Sequence, residues 1–291
     1  MSNQIDKLLT HRSPIAAVLV AVCLLLMLAV HGAAPDRMFL ELLALLTVIL
    51  LVLGWAIKDR FLGVLVNERN IMSLARLQLA GWTVVVLAAY FTYVFVRNAK
   101  NIADPLMIGI DYHLWALLGI STASFVGSGL VLGLKKDKEP TPEAVKLTAS
   151  LTADKAKPAA AGEPTALAAA QTLLNAVEEK KIEDHREGTL YANPSKDDAR
   201  FIDMFQGDEI GNTTHVDLAK VQMFLFTVIA LGAFAAMIAK GLRHLPADPA
   251  KLTEVLKQLP LLPEGLVAIL GISHAGYLAN KTVDHTKVTP P

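Results

Sequence analysis

Leu42-Leu43-Ala44-Leu45-Leu46-Thr47-Val48-Ile49-Leu50-Leu51-Val52-Leu53 carries no charge and a single hydroxyl, and it sits inside a longer apolar window, residues 38–57. A helix needs about 20 mostly apolar residues to cross a bilayer core of about 30 Å. The window meets that length, so it predicts a membrane-spanning helix. Residues 14–30, 77–96, 114–134 and 221–239 read the same way, and residues 261–278 do so more weakly. The last window holds Glu264, Ser273 and His274, which suits a helix packed inside a bundle better than one facing lipid.

The rest of the chain agrees with that reading. Of its 291 residues 53% are hydrophobic and 19% charged, with a mean hydropathy of +0.44. The 27 basic and 27 acidic residues balance, so no basic excess draws the molecule to nucleic acid. Cys23 is the only cysteine and lies in an apolar window, which excludes a disulfide framework and a thiolate metal cluster. The expected fold is an all-α polytopic transmembrane bundle of about six spans. Residues 14–30 also read as a signal-peptide core, since Lys7 and Arg12 precede them and Gly32, Ala33 and Ala34 follow. Their length exceeds the roughly 7–15 residues of such a core and favours a span.

Basic residues set the orientation. Lys58, Arg60, Arg69 and Arg76 lie between the second and third windows, and Lys135, Lys136 and Lys138 follow the fourth. The positive-inside rule then places both links, and both termini, in the cytoplasm. Lys240, Arg243, Lys251 and Lys257 oppose this assignment without outweighing it.

Sliding the chain along itself by 144 positions brings Phe61 and Gly63 onto Phe205 and Gly207, and Ser73-Leu74-Ala75-Arg76-Leu77-Gln78 onto Asp217-Leu218-Ala219-Lys220-Val221-Gln222. Trp82-Thr83-Val84 meets Phe226-Thr227-Val228, and Ala103-Asp104-Pro105 meets Ala247-Asp248-Pro249. After eight extra residues Leu118-Gly119-Ile120-Ser121 meets Leu270-Gly271-Ile272-Ser273. Such ordered matches predict a parallel internal repeat related by an axis along the membrane normal. The chain then divides into two N-terminal spans (residues 1–60), a first two-helix repeat (61–134), a cytoplasmic insert (135–204) and a second repeat (205–291).

Within the repeats, Ser73 and Asp217 are good N-cap residues, and Arg76 and Lys220 stand where cationic side chains reach lipid phosphates. Gly119, Ala123 and Gly127, and likewise Gly271, Ala275 and Ala279, recur every fourth position and predict faces for close helix packing. Gln78, Thr83, Ser121, Gln222, Thr227, Ser273 and His274 are polar within apolar windows. They read either as a polar path or, more simply, as interhelical hydrogen bonds. His274 replaces Thr122 of the first repeat and is the best single candidate for a titrating or ligand-facing group.

The polar segment between the repeats reads as a flexible linker around Pro140, Pro142, Pro158, Ala159-Ala160-Ala161 and Pro164. It continues into an amphipathic helix carrying Leu167, Leu173, Leu174 and Val177. Ala199-Arg200-Phe201-Ile202-Asp203-Met204-Phe205 reads either as a short interfacial helix, matching residues 60–66, or as an ordinary loop. Glu183, Asp184, His185 and Asp198 show no metal or catalytic spacing. No Gly-rich phosphate loop, His-Glu-x-x-His, Gly-x-Ser-x-Gly or Cys-x-x-Cys occurs, so neither an enzyme of familiar type, a cofactor nor a metal is expected.

Asp203-Met204-Phe205, Gly211-Asn212, the run Val216-Asp217-Leu218-Ala219-Lys220-Val221-Gln222-Met223-Phe224 and the terminal Gly271-Ile272-Ser273-His274-Ala275-Gly276-Tyr277-Leu278 resemble a group of bacterial multi-pass inner-membrane proteins whose function is generally uncharacterised. The resemblance covers the last third best and implies bacterial origin, with no catalytic or binding residue to carry over. Two functions fit the sequence. One is a homo-oligomeric channel or passive transport-type protein, since no charge lies near the middle of a repeat helix to serve coupled transport. The other is a membrane scaffold whose insert recruits a cytoplasmic protein partner. Membrane lipid is a partner in both.

Overall fold

The computed structural model describes residues 2–155 and 164–289; Pro158 and Ala159-Ala160-Ala161 fall outside them. Among the described residues the chain forms helices α1 (Ser2–Ala29), α2 (Pro35–Lys58), α3 (Leu74–Ala99), α4 (Tyr112–Lys136), α5 (Pro142–Lys155), α6 (Pro164–Asp184), α7 (Leu218–Arg243), α8 (Pro249–Val255) and α9 (Glu264–Thr282). Strands β1 (Arg186–Glu187) and β2 (Leu190–Tyr191) pair as a small antiparallel hairpin. Within α1 the segment Arg12–Ala29, together with α2, α3, α4 and α7 in full, is long and apolar enough to cross a membrane. Each of these five covers an apolar window of the sequence. The weak sixth window becomes α9, which is not among the five.

Two compact units emerge. The first comprises Met1–Leu65, Ala75–Ala123 and Met223–His274, and the second Val66–Leu74, Ser124–Gln222 and Ala275–Pro291. In the first, one face of α1 buries Ala16, Cys23 and Met27, and α2 buries Met38, Phe39 and Leu42. Trp82 of α3 meets Phe234 of α7 with ring centroids 6.1 Å apart, and Leu114 and Leu117 of α4 join the same core. Asp248 caps α8 by accepting from the backbone N–H of Ala250 and Lys251 at 2.8 and 3.2 Å, and Pro249 takes the first helical position. This helix lies between Pro249 and Leu270, the stretch in which the sequence matching leaves eight extra residues. Asp104, by contrast, adopts φ 49° in a plain turn closed by Met107 N–H to its carbonyl at 2.9 Å. Buried Arg97 donates to the carbonyls of Leu256, Ala103 and Asp104 at 3.0 to 3.1 Å, so its charge is met by backbone dipoles.

Short 3-10 turns precede two of the long helices, Phe61–Leu65 before α3 and Phe201–Phe205 before α7. Each is followed by a single antiparallel bridge, Val66 with Met72 and Gln206 with Val216. The bridged residues are six positions apart in one case and ten in the other, so the second loop carries four more residues. The turn before α7 thus begins 140 positions after the turn before α3, while α7 itself begins 144 positions after α3. Asp217 caps α7 as expected, accepting from Ala219 and Lys220 N–H at 3.0 and 3.2 Å.

The insert is more ordered than its prolines imply. Pro142 opens α5 because proline suits the first turn of a helix. Val145 and Ala149 of α5 cluster with Ile182 of α6 and with Ile210, Tyr191 packing alongside. The tail is strapped to the same unit: Thr141 N–H donates to Lys287 O and Thr289 N–H to Glu139 O, both at 2.9 Å.

The turn Phe61–Leu65 is seated by two glycines. A Cβ on Gly54 would lie 2.7 Å from the Phe61 carbonyl oxygen, and one on Gly63 would lie 2.5 Å from that of Gly54. Backbone cannot yield as a side-chain tip does, so Gly54→Ala is expected to lower stability by about 1–3 kcal/mol. Thermal unfolding in detergent reads this directly, with Gly32→Ala, which has open space around it, as the silent control.

Candidate functional site

Among the described residues, a cluster of buried charge in the second unit centres on Asp208. Its Oδ2 takes Lys281 Nζ at 2.5 Å and Lys220 Nζ at 3.1 Å, and its Oδ1 takes Arg69 Nη2 at 2.8 Å. The remaining donors are also met. Arg69 Nη1 donates to the carbonyls of Tyr191 and Asp208 at 2.9 and 3.0 Å, and Lys220 Nζ to Gln206 O at 2.5 Å. Lys281 lies over the Tyr277 ring, 4.8 Å from its centroid, and the Tyr277 hydroxyl is 3.2 Å from Ser128 Oγ. Burial alone pushes the Asp208 carboxyl up, but Lys220, Lys281 and Arg69 outweigh it and hold the group well below the usual carboxylate range.

Glu209 forms the adjoining lock. Lys135 Nζ donates to its Oε1 at 2.5 Å and also to the Val283 carbonyl. The Glu209 oxygens further accept His285 N–H at 3.1 Å and Thr286 N–H at 2.8 Å, fixing the tail. Asn70 and Asn193 exchange side-chain amides for each other's carbonyls at 3.0 and 2.9 Å. Asp203 is buried nearby, its carboxyl pushed up by burial and held in part by Arg200 N–H at 2.8 Å. Small voids of about 10 and 20 Å³ flank Asp208, and the larger has room for about one water.

The sequence reading missed this centre, because Asp208 and Glu209 carry no spacing signal. Lys220 turns inward to Asp208 instead of reaching lipid phosphates. A detectable hint was Tyr277 followed four positions later by Lys281 at the polar end of an apolar helix.

The residues picked from sequence are partly brought together in the first unit. Gln78 Nε2 donates to Thr227 Oγ1 at 2.5 Å and lies 3.4 Å from His274 Nε2, while Thr227 Oγ1 donates to Met223 O at 2.7 Å. All three side chains are buried, which fits an interhelical clasp. Ser121 and Ser273 are also buried, each hydroxyl oxygen lacking a partner among the described residues. Thr83 is exposed and donates back to Leu79 O at 2.7 Å, and Gln222 is exposed. The pairing of Gln78 with Thr227 is thus not mirrored by Gln222 and Thr83.

The small-residue faces divide too. A Cβ on Gly127 would touch Leu278 at 3.3 Å and one on Gly271 would touch Ile120 at 3.5 Å. Gly119 has open space around it, and Ala123, Ala275 and Ala279 are exposed among the described residues. Among the described residues no three His, Cys, Asp or Glu side chains group to hold a metal ion.

Asp208→Asn leaves three buried cations without their counter-charge and is expected to cost about 3–5 kcal/mol. Asp284→Asn, which removes an exposed partner of Lys138 at 2.6 Å, should cost under about 1 kcal/mol. Chemical unfolding in detergent ranks the two. Because the folded pKa of Asp208 is depressed, its contribution is complete above the unfolded carboxyl pKa of about 3.9 and is lost only as pH falls through the lower folded value. Circular dichroism against pH should therefore show the native protein gaining acid sensitivity only below about pH 4, a step that Asp208→Asn lacks.

Comparison with protein-family descriptions, with curated proteins and with solved structures gave no match for this chain.

Proposed function

We propose that the chain is a multi-pass protein of a bacterial inner membrane that acts as a scaffold, presenting a folded cytoplasmic platform to a protein partner. The observation that carries this reading is α5. Its Val145 and Ala149 face the cluster with Ile182, while Leu147 and Leu151, on another face, stand 60% and 46% exposed outside any apolar span. Val177 of α6 is exposed as well. A helix that leaves a second apolar stripe in water is built for another surface. Ion pairs and hydrogen bonds within the second unit fix the segment from which α5 projects, which suits a platform more than a tether.

α9 serves in this reading as a sixth span, its Ser273 and His274 turned inside, with both termini cytoplasmic. α3 and α7 begin 144 positions apart and α4 and α9 begin 152 apart, the same shifts that align the matched residues within each pair, which supports an internal duplication.

A photo-crosslinker at position 147, used in native membranes, should trap one defined protein, and Leu147→Asp with Leu151→Asp should abolish capture while thermal unfolding stays unchanged. Purified protein that conducts ions or passes solutes in liposomes, with no crosslinked species in membranes, overturns the scaffold.

The second reading, a homo-oligomeric passive channel, is favoured by the open Gly119, Ala123, Ala275 and Ala279 surfaces, which leave room for a second copy. Here Gly119→Leu is expected to dissociate the oligomer in detergent without lowering the unfolding midpoint, since among the described residues a Cβ at this position meets nothing within 4 Å. An oligomer unchanged by Gly119→Leu removes that support.

A further inference from the structure

The turns Phe61–Leu65 and Phe201–Phe205 share a feature that neither function reading uses. Each begins just after an arginine, Arg60 or Arg200, and each presents a phenylalanine and a branched aliphatic residue outward. Phe61 and Leu62 are 64% and 44% exposed, and Phe201 and Ile202 are 52% and 50% exposed. In water two adjacent exposed apolar side chains on a short turn are unfavourable, and both turns are otherwise well built, with Gly63 and Leu65 buried in one and Asp203 and Met204 in the other.

Each turn is also fastened to an apolar helix. The first follows α2 directly, after Asp59 ends that helix in a left-handed conformation at φ 63°, and Gly63 packs backbone to backbone against Gly54 in the last turns of α2. The second is held to the start of α7, where Asp217 N–H donates to Phe205 O at 2.8 Å beside the bridge between Gln206 and Val216. An element held within one hydrogen bond of a span's end stands at a membrane surface. Ile57 extends the exposed apolar surface at the first turn, and Val216 and Leu218 add apolar exposure at the second.

We propose that the two turns are interfacial feet, Phe61 with Leu62 and Phe201 with Ile202, that insert into the boundary between phospholipid headgroups and acyl chains. The bilayer is the occupant because the apolar surface is continuous with the lipid-facing side of α2 in one case and with the exposed Leu218 that opens α7 in the other. Arginine beside each phenylalanine places a cation at phosphate height, the arrangement by which amphipathic segments settle at an interface. The feet hold the ends of α2 and α7 at a fixed depth and resist sliding of those helices along the membrane normal. This inference rests on α2 and α7 crossing the membrane and is independent of the scaffold.

The test places single spin labels at Phe61→Cys and Phe201→Cys on a Cys23→Ala background, in nanodiscs of phosphatidylethanolamine and phosphatidylglycerol. Power saturation with oxygen and with a water-soluble nickel chelate reads depth. Val48→Cys on α2 and Asp197→Cys on the exposed loop give the lipid and aqueous limits. Both feet are expected to lose nickel accessibility relative to position 197 and gain oxygen accessibility, with depths shallower than position 48. Phe61→Trp and Phe201→Trp, quenched by lipids brominated near the headgroup and not by those brominated at the chain end, give the same answer without a label. Aqueous labels at 61 and 201 beside a lipid-exposed label at 48 overturn the feet and leave the spans standing. Labels shielded from both reagents show that protein, not lipid, covers the turns and overturn the proposal equally. An aqueous label at 48 overturns the membrane-spanning reading itself.

Discussion

A carboxylate held by three cations is an unusual thing to build out of water, and the second unit is arranged around one. Each of Arg69, Lys220 and Lys281 would be expensive to bury alone, since an unpaired charge loses several kcal/mol of hydration in a low-dielectric site. Asp208 supplies the counter-charge to all three, and backbone carbonyls of Gln206, Tyr191 and Asp208 absorb donors that the carboxylate cannot reach. The four groups come from the loop before α3, from the loop before α7, from the start of α7 and from the end of α9. No two of them are neighbours in sequence, so the ion cluster fixes where four separate stretches of chain must meet. Such clusters add geometry more surely than they add stability, because a misplaced partner leaves a charge uncompensated.

The first unit meets the same need for fixed geometry with neutral groups. Gln78, Thr227 and His274 lie among Leu, Val and Phe side chains, where a hydrogen bond can be satisfied locally and ionisation is not needed. An amide and a hydroxyl lose far less hydration than a carboxylate, so they can stand within an apolar interior that would not tolerate Asp208. Arg97 shows the limiting case, a full charge kept at the end of α3 where three carbonyl oxygens turn toward it. Polarity within this chain is graded to what each place can solvate.

The helices were legible in the sequence because membrane-length apolar runs leave little room for another structure. Residues 38–57 and 77–96 fall inside α2 and α3, and the structure adds only polar caps and a final turn. The capping role of Asp217 was legible for the same local reason. The ion centre was not, since charge pairing acts between residues up to 139 positions apart and leaves no period or spacing. The order of the insert escaped too: Pro142 looks like a breaker until one sees that it opens a helix. The packing glycines were half legible. Periodicity marks a face as small but does not say whether a neighbour occupies it, and Gly119 and Gly127 stand eight positions apart on one helix with opposite surroundings.

Residues that match at the 144-position shift stand in unlike surroundings, which sequence matching hides. Arg76 matches Lys220, yet only Lys220 belongs to the Asp208 cluster; Gln78 matches Gln222, yet one is buried and the other exposed. A twofold relation would repeat every contact, so the single clasp from Gln78 to Thr227 and His274 shows that chemistry has departed from any such symmetry. The reason is visible in the loops. Ten positions separate Gln206 from Val216 where six separate Val66 from Met72, and the longer loop carries Asp208 and Glu209 themselves. The longer loop thus sets two acids just before the start of α7, where Lys220 finds a buried partner in Asp208.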